Sequence, residues 1–131
     1  MPAPPEPRLD HEESALFTRG VEQFNQGLYF ECHDTLEEMW SGLRGPSRDF
    51  FQGLIQVSVA FYHLEAGNAA GALSMLSRAV ARFAPYPALY FGFDLGTHRA
   101  ELEAWRARIE AGEAGPPFPR WEFTRPGALP G

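Results

Sequence analysis

The chain has 131 residues, 44% hydrophobic and 21% charged, with a formal net charge of −6. That length suits one domain with a core large enough to need no disulfide or metal staple. All 11 basic residues are arginine, which excludes Schiff-base or general-base lysine chemistry. Cys32 is the single cysteine, which excludes internal disulfides and multi-cysteine zinc sites. No basic run is present, so neither nucleic acid nor an anionic membrane surface is expected as a partner.

The first residues, Met1-Pro2-Ala3-Pro4-Pro5-Glu6-Pro7, lack the basic-then-apolar layout of a signal peptide. Residues 1–9 are expected to form an extended arm. Asp10 is placed to cap a first helix, and Asp10-x-x-Glu13 imitates a capping box. Phe17, Val21, Phe24 and Leu28 make its apolar seam, and Gly27 ends it.

A second helix is expected from about Leu28 to Ser41. At about 100° per residue, Tyr29, Cys32, Leu36, Met39, Trp40 and Leu43 cover one arc. His33 and Glu37 sit on its margin, one turn apart. Glu31, Asp34 and Glu38 turn away. Gly42 and Gly45-Pro46 close the helix, and Ser47 is available to cap the next.

The third helix, about Arg48 to Ala66, is apolar nearly all round, as suits a helix enclosed by others. Gln52, Gln56 and His63 nevertheless share one narrow stripe. The apolar run Phe50 to Leu64 is too short and too polar for a membrane span of about 20 residues, and a cytoplasmic location is expected. Gly67-Asn68 breaks the pattern. A cleanly amphipathic fourth helix runs from about Ala69 to Phe83, ended by Pro85 and Pro87.

Residues 86–93 are aromatic and read as irregular. Asp94 or Thr97 caps a fifth helix that ends near Ala111. Residues 112–131 hold five Pro and four Gly and read as a tail, although Phe118, Trp121 and Phe123 suggest that it lies against something apolar. His11 and His98, near helix starts, are expected at the surface. A weak repeat at a step of 40 residues aligns Phe17, Val21, Phe24, Gly27, Cys32 and Leu36 with Val57, Phe61, Leu64, Gly67, Ala72 and Leu76. The expected fold is all-α: two antiparallel helical hairpins plus a C-terminal helix over residues 10–111, flanked by the arm 1–9 and the tail 112–131.

The run Phe24-Asn25-Gln26-Gly27-Leu28-Tyr29-Phe30-Glu31-Cys32-His33-Asp34-x-Leu36-Glu37-x-x-Trp40 resembles a bacterial and archaeal family known as domain of unknown function 309, with its His-x-x-x-Glu-x-x-Trp/Tyr pattern. Arg48 to Gln56, Tyr62-His63-Leu64, Gly67-Asn68, Gly71-Ala72 and Gly92-Phe93-Asp94 carry the same resemblance, over about residues 16–110. Cys32 stands where an alanine is expected; both are small. The resemblance implies a helical fold and, through His33 and Glu37, a metal site.

His and Glu at i and i+4 project from one helix face and can reach one ion. His63 is the expected third ligand, with Trp40, Gln52 and Gln56 supporting the pocket. Such a set suits Zn, Mn or Fe and leaves positions open for water. Two other readings use the same residues. In one they form a structural hydrogen-bond network inside a tetratricopeptide-like scaffold, with residues 86–93 and the tail as a partner or dimer surface. In the other, Glu37 and His33 form a metal-free acid–base pair.

Overall fold

In the computed structural model the described residues are 3–113, 115 and 117–124. The expectations for residues 1, 2, 114, 116 and 125–131 lie outside them. Five helices follow one another: α1 (His11–Asn25), α2 (Tyr29–Ser41), α3 (Arg48–Glu65), α4 (Ala69–Phe83) and α5 (Leu95–Ala111). The expected all-α class holds, with one small addition between α4 and α5. Here β1 (Leu89–Tyr90) and β2 (Phe93–Asp94) pair antiparallel, with Leu89 opposite Asp94 and Tyr90 opposite Phe93. The segment read as irregular is thus a two-residue hairpin. Its central residues Phe91 and Gly92 both have positive φ, 54° and 71°, as a tight turn matched to strand twist requires.

The helix starts follow local chemistry. Asp10 accepts from the Glu13 N–H while Glu13 accepts from the Asp10 N–H, completing the capping box. Asp94 caps α5 by accepting from the backbone N–H and the hydroxyl of Thr97, and these bonds hold its carboxyl below its ordinary value. Ser47 occupies the cap position of α3, but its side chain makes no capping bond.

The weak repeat corresponds to a repeated turn. Gly27 and Gly67 have φ of 80° and 78°, a conformation that costs glycine nothing. The Leu28 N–H donates to the Gln23 carbonyl at 2.9 Å, and 40 residues later the Asn68 N–H donates to His63 at 2.8 Å. The Gly27-to-Phe24 and Gly67-to-Leu64 bonds match as well, at 3.0 and 3.1 Å. Both helices therefore end in the same Schellman-type closure, which satisfies their last carbonyls and reverses the chain. The results are the hairpins α1–α2 and α3–α4.

α3 packs against both α2 and α4, and α5 against α4. Phe50, Phe51, Leu54, Val57 and Phe61 on α3 are fully buried. Burial on this scale, roughly 1.5–3 kcal/mol for each large apolar side chain, is what holds helices with little stability of their own. Trp121 from the tail is 1% exposed and lies parallel on Phe24, with ring centroids 3.7 Å apart. Asn25 clamps the Trp121 backbone, accepting from its N–H and donating to its carbonyl at 2.7 and 2.8 Å. The N-terminal arm docks too: the Tyr90 hydroxyl donates to the Pro5 carbonyl, and Glu6 accepts from the Phe91 N–H.

His98 departs from expectation. It is 2% exposed, because Trp121 closes over the first turns of α5. The indole N–H of Trp121 donates to His98 Nε2 at 3.3 Å, so the ring carries its proton on Nδ1, 3.4 Å from Glu101. His11 is exposed, as expected.

Candidate functional site

His33 and Glu37 lie on the margin of the buried face of α2, as their one-turn spacing requires. Cys32, Leu36 and Met39 are buried beneath them and fix the rotation of the helix. His33 Nε2 stands 3.4 Å from Glu37 Oε2, and His33 Nδ1 stands 3.5 Å from Asp34 Oδ1. The imidazole is thus flanked by a carboxylate at each nitrogen. Its side chain is 23% exposed, against 63% for Asp34 and 53% for Glu37, so both carboxylates keep much of their hydration. One ligand atom from each of the three lies within 4.8 Å of the others.

These spacings bear on metal chemistry. Both exceed the usual N–H···O distance of about 2.9–3.0 Å. Two ligands each about 2.1 Å from a tetrahedral ion stand about 3.4 Å apart, which is the His33 Nε2 to Glu37 Oε2 separation. With an ion at Nε2, the Nδ1–H faces Asp34, the kind of outer partner that orients a ligating histidine. The donor set, one imidazole and one or two carboxylates, fits Zn, Mn or Fe.

The remaining expected site residues are divided by the structure. His63 lines the same hollow as His33, with Tyr29, Phe30, Val59 and Tyr62, but it is not one of the three clustered ligand groups. Its Nδ1 accepts from the Asn68 amide at 3.3 Å, while Asn68 also accepts from the Gly71 N–H. His63 is thereby tied to the α3–α4 turn. Gln52 and Gln56 lie elsewhere, in a groove between α3 and α4 lined also by Asp49, Arg78 and Arg82. They share His63's stripe by angle, but Gln52 and His63 are about 16 Å apart along the axis. Gln56 Oε1 is buried there with no hydrogen-bond partner among the described residues. The single polar pocket expected from both helices is therefore two separate places.

Trp40 is two turns from His33. Its indole N–H donates to the Arg48 carbonyl at 3.0 Å, and the Arg48 guanidinium lies 3.6 Å from the ring centroid. It fastens α2 to the start of α3 and does not line the His33–His63 hollow it was expected to support. Cys32 is fully buried, and burial pushes its thiol up to about 12, an inert environment for a nucleophile. Asp34, set aside on helical angle, is the residue that sequence reasoning missed. Its Cα does point away from Glu37, but as the chain neighbour of His33 it can reach Nδ1 from the side. The His-Asp pairing next to Glu37 was the available signal.

Two curated relatives align with this chain. An uncharacterized protein of Aquifex aeolicus (strain VF5) is 27% identical over 92 residues, covering 70% of this chain and 28% of that protein. The uncharacterized protein YpuF of Bacillus subtilis (strain 168) is 40% identical over 53 residues, covering 40% of this chain and 30% of YpuF. The chain thus spans under a third of the length of either relative. The family match runs from α1 into α4, taking in His33, Asp34, Glu37 and His63 and stopping short of the 110 expected. Residues 17–75 match the model of the domain of unknown function DUF309.

Proposed function

We propose that this helical domain binds a divalent transition ion, Zn, Mn or Fe, on the exposed flank of α2. His33 Nε2 and Glu37 are the ligands, and Asp34 accepts from His33 Nδ1–H or turns to the ion itself. The carrying observation is the 3.4 Å spacing of His33 Nε2 and Glu37 Oε2, the ligand–ligand distance of a tetrahedral site. Two protein ligands leave positions for water or a small polar ligand. The half-exposed carboxylates favour this reading over a buried structural network, in which polar groups pair at shorter range and away from solvent. We place the domain in the cytoplasm, in keeping with its single buried, reduced cysteine.

The test is thermal melting of untagged protein titrated with zinc or manganese chloride. An ion at about 100 times its dissociation constant stabilises the fold by about 2.7 kcal/mol, a clear rise in melting temperature. Glu37→Gln and His33→Gln should remove that rise, whereas Gln52→Ala should retain it. A wild-type melting temperature unmoved by either ion would sink the proposal.

A further inference from the structure

His33 has a second environment. With Tyr29, Phe30, Val59, Tyr62 and His63 it lines a hollow of about 110 Å³ at the junction of α2 and α3. Four of these residues form a chain of ring contacts. His33 and Phe30 have centroids 5.5 Å apart, Phe30 and Tyr62 5.5 Å, and Tyr62 and His63 5.8 Å. Val59 lies among them on α3, and the Asn68 amide holds the His63 ring by its Nδ1.

Two features of this hollow set it apart. Phe30 and Tyr62 are 48% and 40% exposed, while most other aromatic side chains of this protein are in the core. Carboxylates also adjoin two of its lining residues. Among the described residues, no arginine lines it. Asp34 and Glu37 stand beside His33, and Glu65 acts on the Tyr29 hydroxyl, which burial and that carboxylate push up to about 12. Aromatic faces carry negative potential, so rings and carboxylates together select a cation over an anion or a neutral group.

Size narrows the class. A cavity of roughly 150 Å³ accepts a benzene ring, so this hollow takes a somewhat smaller and rounder group. We infer that the hollow receives a small organic cation, an alkylammonium group about the size of trimethylammonium, held against the rings of Phe30, Tyr62, His33 and His63. This assignment stands apart from the divalent site, although both use His33. Two like charges on either part of one imidazole oppose each other, so a bound divalent ion weakens the ammonium and the reverse.

The probe is tetramethylammonium chloride added to the full chain at constant ionic strength, followed by side-chain NMR, with tert-butyl alcohol as a neutral control of similar shape. The expected result is a saturable shift confined to Phe30, Tyr62, His33 and His63, and weaker binding of the alcohol. Phe30→Leu and Tyr62→Leu keep apolar bulk at half-exposed positions and remove a ring, and each should weaken the cation by roughly two- to fivefold. Phe30→Leu should leave the zinc titration unchanged, so failure here is separable from failure of the divalent reading. Equal binding of the alcohol, or no saturable shift with tetramethylammonium, would overturn the assignment.

Discussion

Replacing Trp121 by alanine should cost more than any other change in the tail. The side chain is 1% exposed, stacked on Phe24 at 3.7 Å, with its indole N–H on His98. Removing a buried Trp typically costs about 3–5 kcal/mol in lost transfer energy and cavity, and here Phe24 and His98 also lose their partners. Against a total stability of about 5–15 kcal/mol, that is a large fraction. It corresponds to a fall of about 10–20 °C in melting temperature for a domain of this size. Urea unfolding followed by far-UV circular dichroism, at unchanged slope, reads the difference. Trp121→Phe keeps a ring on Phe24 and loses only the indole bond and some volume, so about 1–2 kcal/mol is expected. If Trp121→Ala unfolds within 0.5 kcal/mol of wild type, roughly the range of a neutral surface change, the tail is not part of the core and this reasoning fails.

Two other predictions concern the core. A Cβ added at Gly53 would meet Phe83 Cε1 at 2.4 Å where α3 crosses α4. Gly53→Ala should therefore destabilise by about 1–3 kcal/mol in urea unfolding, despite the better helix propensity of alanine; a stabilised variant would show that α3 and α4 do not approach so closely. Alkaline pH should also weaken the fold. Burial raises Cys32 from 9.0 to about 12, and burial with Glu65 and Cys32 raises Tyr29 from 10.0 to about 12. The folded state then holds these protons more tightly than the unfolded chain. The stabilisation is complete below pH 9 and is lost as pH rises toward 12. Cys32→Ala should flatten the earlier part of that decline in urea midpoint, whatever its effect at neutral pH. An identical slope in the variant would refute the assignment to Cys32.

Helix positions were legible because their signals are local. Asp10 and Glu13 cap within one turn, Gly27 and Gly67 break two patterns at equal spacing, and the buried arc of α2 follows from residue angle alone. The 40-residue repeat was legible for the same reason, as one turn used twice. What escaped depends on residues far apart in the chain. Trp121 meets Asn25 across 96 positions, so its covering of His98 had no local trace beyond the apolar character of the tail. The β1–β2 turn places Phe91 at positive φ, which no propensity favours for a bulky residue. At the site, angle alone correctly paired His33 with Glu37. It wrongly dismissed Asp34, whose reach comes from adjacency, and it joined Gln52 to His63 although they are three turns apart. A shared helical stripe fixes direction but says nothing of position along the axis.

The claim that His33 and Glu37 hold a divalent ion is tested most directly by a crystal of untagged protein grown with zinc, measured across the zinc absorption edge. The account predicts an anomalous peak about 2.1 Å from His33 Nε2 and from a Glu37 carboxylate oxygen, with Nδ1–H turned to Asp34. A map with no peak there, and His33 closed onto Glu37 at ordinary hydrogen-bond distance, would contradict it.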